Sequence, residues 1–578
     1  MTKEYSLESI IAVDCGSIWT RALLIDVVEG RYRLIARGEA LSTVRPPHAN
    51  AMLGVARAIT QIEAYTGRQI LDNKAQLITP EQANGNGVDA FVATASAAEP
   101  LRAYLVGLTT DVSLSSAQRA LAGVNATVVG ALSMEDKPNT TAGVERALEH
   151  FHQARSDVVI IVGGTDGNSS DRALDLAQVL KLAYQTTDPS RRPPVIFAGN
   201  AALGDAVARA FGSLSEVKIV DNVRPSMNRE NLAPLTAAVL SLYAETKLAR
   251  TPGLSAVAGW SRVPLMLTAQ AQHHVLRYLS AHYDMNIVSL EWSASRAAVS
   301  WASQGNVATI SEPAGVSAGV AIAERNGMDE ILRWLPAACE AGDAWTTLRN
   351  LTLYPGVVPG SDMEISLLQA VAHEALIPAV ARARQDWRAG QATDPTWDLI
   401  VLSGATLNSA PHPGQAALLA LNVLQPVGVS GLVMDSTPLS PALGAIAALE
   451  PVAAAQTLDQ DGFISLGTVI APRGRARAGE IAMNVQVTYA DGRSLQMDVP
   501  AGALEVIPLA PGQKATLQLR PGRGFDLGWT RRRRKATVEV DGGLLGIVVD
   551  TRGRPLPSLP TLSAAQERMS QWLREIGG

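Results

Sequence analysis

Ile10-Ile11-Ala12-Val13-Asp14-Cys15-Gly16-Ser17-Ile18-Trp19-Thr20-Arg21-Ala22-Leu23-Leu24-Ile25-Asp26 reads as two apolar strands joined by a tight glycine turn. Hydrophobic residues fill 10–13 and 22–25, and polar ones collect where the chain reverses. The chemistry of that turn suits an anion. Gly16 lets backbone N–H groups approach a phosphate unobstructed, Ser17 and Thr20 offer hydroxyl donors, and Arg21 brings a fixed positive charge. Asp14 is the one catalytic candidate, placed to order a hydrated Mg²⁺. A hairpin whose turn needs glycine for steric reasons alone looks the same, so the rest of the chain has to decide.

Composition narrows the field. A chain of 578 residues, 47% of them hydrophobic, is long enough for roughly three to five globular domains. Lys and Arg number 49 against 54 Asp and Glu, a formal charge of −5, so no global positive field exists to collect nucleic acid or anionic lipid. The start, Met1-Thr2-Lys3-Glu4-Tyr5-Ser6-Leu7-Glu8, lacks a signal-peptide layout, and no apolar run reaches the ~18 residues of a spanning helix. The expectation is a cytoplasmic protein with no membrane span. Cys15 and Cys339 are the only cysteines, which excludes a disulfide framework and a cysteine-rich zinc site. His273, His274 and His282 lie on one helical stretch without completing carboxylates, and read as packing or surface histidines.

Strand-like and helix-like patterns alternate to about residue 450, the signature of α/β layers. The first lobe is placed at 1–150. From Asp157 a βαβαβ subdomain, 151–265, runs through the strand Val158–Val162, the turn Gly163-Gly164-Thr165-Asp166-Gly167-Asn168, the strand-turn Val195–Asn200, and Val217–Val220 before Asp221-Asn222-Val223. Its polar turns fall at the carboxyl ends of the strands, where open α/β sheets bind ligands. Gly163, Gly164 and Thr165 are therefore cofactor-binding candidates, with simple helix capping as the alternative. A second lobe occupies 266–454. After about residue 455 short alternating stretches, such as Ala482–Tyr489 and Ala515–Leu519, indicate a separate small β-barrel or sandwich over 455–578. It carries the run Arg531-Arg532-Arg533-Arg534-Lys535, read as a solvated loop or a phosphate contact, and a terminal helix with a capping box from Ser563 to Gln566.

The opening hairpin resembles the first phosphate motif of the sugar kinase, Hsp70 and actin superfamily, an Asp-x-Gly-Ser/Thr turn with a basic residue downstream. Ala95-Ser96-Ala97-Ala98, Val162–Asn168, Phe197-Ala198-Gly199-Asn200 and Asp221-Asn222-Val223 together resemble the glutamate mutase L family, in matching order from about residue 9 to residue 450. That resemblance implies a two-lobed actin-like ATPase fold with ATP and Mg as cofactors. It also implies an accessory or reactivating role toward a cobalamin-dependent mutase subunit.

Departures from the family pattern bear on chemistry. Where the family has Asp-x-Gly-Gly-Ala-Thr-Thr-Asp, this chain has Ser289-Leu290-Glu291-Trp292-Ser293-Ala294-Ser295-Arg296. Read from the sequence, Glu291 repels a triphosphate and Trp292 blocks backbone approach. Neither carboxylate survives at Ser289 or Arg296. The segment Val316-Ser317-Ala318-Gly319-Val320-Ala321 lacks the acidic residues the family carries there. The adenosine-like turn after Leu399–Leu402 keeps Ser403 and Gly404, with Leu402 and Ala405 in place of glycines. Phosphoryl transfer depends on positioning and metal-held charge, so the expectation is at most a weak ATPase. Two function classes follow. One is a nucleotide-binding accessory protein or chaperone. The other is a non-catalytic actin-like scaffold that self-associates into filaments.

Overall fold

In the computed structural model β1 (Ile10–Cys15) and β2 (Trp19–Val28) form the opening hairpin, with Asp14 opposite Arg21 and Cys15 opposite Thr20. Residues 7–138, 140–167, 171–387, 394–475, 477, 479–528 and 535–577 are described. β3 (Arg31–Leu41) extends the hairpin antiparallel, β4 (Ala90–Ala95) flanks β1, and β10 (Met266–Leu267) runs parallel to β4. The resulting order is β10-β4-β1-β2-β3. Every residue of β1 and of β4 is buried, as central strands covered on both faces must be, which is why they read as apolar runs interrupted only by Asp14 and Thr94 near their ends.

The same order recurs later in the chain. β11 (Ile287–Trp292), β12 (Ala297–Ser303) and β13 (Asn306–Glu312) form an antiparallel meander, and β14 (Leu399–Ser403) and β15 (Gly428–Met434) add parallel to β11. Two copies of one five-strand order, each led by a hairpin, are the actin-like α/β arrangement implied by the resemblance. The helix Asp362–Trp387 is long and apolar enough to cross a bilayer, a feature the sequence expectation excluded. Here it buries Leu367, Val371, Leu376 and Val380 in the main core, against Val288, Leu290 and Ile400 of the sheet.

Packing divides the chain into two units, Met1–Leu41 with Arg57–Val92 and Ala271–Gly578, and Ser42–Ala56 with Ala93–Gln270. The second unit holds a parallel sheet of β5 (Leu101–Gly107), β6 (Ala126–Ser133), β7 (Val158–Ile161), β8 (Val195–Phe197) and β9 (Val217–Ile219), in the order β6-β5-β7-β8-β9. The subdomain thus starts well before residue 151, where the sequence reading began it. Leu101–Gly107 is almost entirely buried and is paired on both edges, by β6 and β7. Tyr104, Phe151, Tyr184 and Phe211 form a chain of ring contacts at 5.1 to 5.4 Å through its core.

The C-terminal strands are not a separate body. β16 (Ile464–Ala471) pairs with β15, β24 (Gly546–Asp550) with β16, and β20 (Leu504–Ile507) with β24, so the second sheet grows to eight strands. Beside it lie the two-stranded β17 (Arg473–Gly474) and β22 (Phe525–Asp526), and an antiparallel sheet of β18 (Ile481–Tyr489), β19 (Ser494–Pro500), β21 (Lys514–Pro521) and β23 (Ala536–Asp541). Met483, Val485 and Leu517 share one core with Ile470, Ile547 and Val549 of the eight-stranded sheet.

Buried polar contacts bind this region further. Asp550, fully buried, accepts from Arg552 at 2.8 and 2.9 Å and from Arg554 at 2.7 Å, and Arg552 reaches Asn422 at 2.8 Å. The cap of the helix Leu562–Glu575 is Thr561, which accepts from the Ala564 N–H at 3.2 Å, and not Ser563. Arg531–Arg534 lie outside the described residues, as does Asn168.

Candidate functional site

In the first hairpin the Gly16 N–H donates to the Trp19 carbonyl at 2.9 Å. A Cβ on Gly16 would sit 2.6 Å from that carbonyl oxygen, so the turn closes only around glycine. Ser17 and Ile18 at the tip are partly exposed, whereas Thr20 is 1% exposed and faces inward. Arg21 leans on Glu39, its partner on β3, with Nε 3.5 Å from Oε1. Asp14 is buried at the end of β1. Burial, with the Asp14 charge beside it, pushes the Cys15 thiol far above its usual range, which leaves it inert as a nucleophile.

The second hairpin corrects part of the sequence reading. Trp292 is 0% exposed; its ring lies in the main core and its Nε1 donates to the Ala314 carbonyl at 2.9 Å. Strand alternation puts Leu290 and Trp292 on the inner face and leaves Glu291 on the other, so the indole obstructs no ligand. Glu291 is no lone repulsive charge either, because Arg296 at the far end of the turn lies 3.4 Å from it. The turn is backed by 315–318: Val316 and Ser317 N–H groups donate to the carbonyls of Ser293 and Ala294 at 3.2 and 2.9 Å. Beside this sheet His273 contacts Thr309 at 2.7 Å, and burial, helped by the Arg296 and Arg277 charges, pushes its pKa down to about 4.

Ser403 ends β14 opposite Glu291 and is 7% exposed. Gly404 follows at φ +107° and lies against the backbone of Trp292. One residue that sequence reasoning missed is Asp435, just after β15. It is 1% exposed and accepts the N–H groups of Leu439 and Ser440 at 2.7 and 3.1 Å, while its own N–H donates to the Leu402 carbonyl at 2.9 Å. Burial pushes its pKa up against the pull of those bonds and of the Arg21 charge. The available signal was an Asp closing an apolar strand just before a helix.

In the other unit, Gly163 and Gly164 take φ of +126° and +77° after β7. The Gly163 carbonyl accepts from the Asn200 N–H at 3.0 Å, the Gly164 carbonyl from Asn222 Nδ2 at 2.9 Å, and Asp166 from Asn222 at 2.9 Å. Three consecutive strand ends are thereby stitched together. Thr165 stays partly exposed beside them. These glycines have a structural role that stands without any ligand. The sequence candidates therefore form two groups: Asp14 to Arg21 with Ser403 and Gly404 in one unit, and Gly163 to Thr165 in the other.

Among the described residues no group of three or more His, Cys, Asp or Glu side chains is set to hold a metal ion. For a magnesium-bearing nucleotide the residues fit in part. Ser17 and Arg21 suit a phosphate, and Asp14 supplies a single carboxylate. At the second hairpin the carboxylate of Glu291 is already paired, and a cation closes the turn.

A family model described as MutL protein matches residues 10–461. The chain is 24% identical over 282 residues to Protein MutL of Clostridium tetanomorphum, a match covering 48% of this chain and 53% of that relative, about half its length. Among solved structures it is similar to gluconate kinase from Lactobacillus acidophilus (10% identity, TM-score 0.30, covering 81% of this chain and 94% of that one). It is also similar to component A of (R)-2-hydroxyglutaryl-CoA dehydratase from Acidaminococcus fermentans (9% identity, TM-score 0.25, covering 76% and 96%). Structural likeness at that level says nothing of ligand or activity.

Proposed function

Because this chain belongs to the MutL protein family, whose model spans residues 10–461, we propose that it is a nucleotide-binding accessory protein with little or no ATP hydrolysis. The observation that carries this is the asymmetry of its hairpins. The first keeps the glycine turn, the Ser17 hydroxyl, Arg21 and Asp14; the second has no free carboxylate to order metal or water. Ser17, Arg21 and the turn amides would hold the phosphates, and Asp14 would orient a hydrated Mg²⁺, which when bound neutralises phosphate charge. The likeness of Val162–Asp166 and its neighbours to glutamate mutase L supports a cobalamin-dependent mutase subunit as the partner.

An accessory role also needs a surface for that partner. Leu353, which ends the helix Ala341–Leu353, and Tyr354, Val357 and Val358 of the loop after it are 57 to 70% exposed, and Gly356 of that loop packs on Ile18 at the tip of the first hairpin. Exposed apolar side chains gathered this way mark protein contacts. The test is calorimetric titration of the full chain with ATP and Mg²⁺. Measurable binding that Arg21→Ala and Asp14→Ala both weaken supports the reading. Binding unchanged in both variants removes the first hairpin from it.

A further inference from the structure

We propose that the second hairpin is a metal-free anion site in which Arg296 supplies the charge, so that nucleotide binding by this chain does not require Mg²⁺. The inference rests on the nucleotide-binding reading above and concerns the donor set. The turn Ser293–Arg296 carries one guanidinium and the exposed Ser295, while the Ser293 hydroxyl closes the turn by donating to the Arg296 carbonyl at 3.2 Å. The carboxylate of Glu291 is committed to Arg296 at 3.4 Å, both side chains being 16% exposed, and Glu312, opposite Ala297, is paired with Arg382. A divalent cation brought there would meet a fixed positive charge, whereas a phosphate oxygen would meet a charge-assisted donor.

The pairing is also loose enough to yield. At 3.4 Å between Nε and Oε1 it is an ion pair at the outer edge of hydrogen-bond distance, and the first hairpin shows the same device in Arg21, whose Nε stands 3.5 Å from Glu39. Each hairpin thus holds an arginine on a glutamate of its own sheet, neither in the close bidentate geometry that would lock it. An arriving phosphate offers both a higher charge and better geometry than the glutamate it replaces. With Arg296 drawn off Glu291, the second hairpin supplies its own positive charge and neutralisation by metal is dispensable there, although no carboxylate is thereby gained for turnover.

The experiment titrates ATP into the full-length protein twice, once in excess Mg²⁺ and once in EDTA, for wild type, Arg296→Gln and Glu291→Gln. Binding is expected to persist in EDTA within about tenfold of its strength in Mg²⁺, to be about tenfold or more weaker in Arg296→Gln, and to be tighter in Glu291→Gln, which frees the arginine. A gain in that last variant cannot come from misfolding. Wild-type binding that appears only with Mg²⁺ overturns the inference and leaves the nucleotide-binding reading intact. Metal-free binding that neither variant alters removes Arg296 from the site and also overturns it. The absence of ATP binding in both buffers fails the underlying reading as well.

Discussion

Gly404 lies so close to Trp292 that a Cβ placed on it would come within 2.1 Å of the Trp292 carbonyl oxygen. The end of β14 is thereby fitted onto the end of β11, its parallel neighbour, and the glycine is fixed both by that approach and by its φ of +107°. Gly404→Ala is expected to destabilise the protein by about 2 kcal/mol or more. The control is Gly342→Ala, in the helix Ala341–Leu353, where nothing lies within 4 Å of the added methyl. That change should leave stability unchanged or raise it slightly. Denaturant midpoints of the two variants test the contrast.

Trp292 belongs to the core, so removing it should not open a ligand site. Trp292→Ala is expected to cost about 3–5 kcal/mol through the cavity it leaves, and it also orphans the Ala314 carbonyl. Thermal unfolding should show a large fall in midpoint. A variant that stayed fully stable and bound nucleotide more tightly would restore the view of the indole as a block.

The buried carboxylate at Asp550 anchors the C-terminal strands. Burial alone would raise its pKa, but the Arg552 and Arg554 charges and hydrogen bonds hold it well below the usual carboxylate range. Its stabilising contribution is therefore complete above the unfolded value near 4 and is lost progressively as pH falls from there through the depressed folded value. Asp550→Asn should cost about 3–5 kcal/mol at neutral pH, because it leaves two buried arginines short of a partner. Truncation at residue 454, which removes β16, β24 and this network, should yield an insoluble chain; a soluble, cooperatively unfolding 1–454 fragment would contradict the shared sheet.

The buried His373 and the partly buried His273 set the acid limit. Burial pushes the pKa of His273 and of His373 down to about 4. The unfolded chain, with histidine near 6.5, binds protons that the folded chain refuses, so stability falls as pH drops from about 6.5 toward 4. Unfolding midpoints measured across that range should decline, and the His273→Gln, His373→Gln double variant should flatten the slope.

Much of this was open to reading in the residues. The first hairpin declared itself because its two strands are apolar and its turn residues polar. The parallel strands of the second unit did so through short apolar runs ending in Gly or Asn. Trp292 was misread as a ligand-facing group because its place was judged against a family pattern. Period-two alternation from Leu290 would have turned it inward. Asp550-Thr551-Arg552-Gly553-Arg554 looks like a polar surface loop, and only the long-range partners Asn422 and Pro426 reveal that it is buried. The capture of β5 by the parallel sheet was equally invisible, since strand partners in such sheets are chosen across intervening helices.

The most direct test of a nucleotide-binding protein that has lost its second set of carboxylates is steady-state ATP hydrolysis by the purified full-length chain in Mg²⁺, beside Asp14→Ala. With Ser289 and Arg296 standing where metal and water would need ordering, wild-type phosphate release should be no faster than that of the variant, even under conditions where calorimetry shows ATP bound. Robust Mg²⁺-dependent turnover, abolished by Asp14→Ala, would contradict this and make the protein an active ATPase.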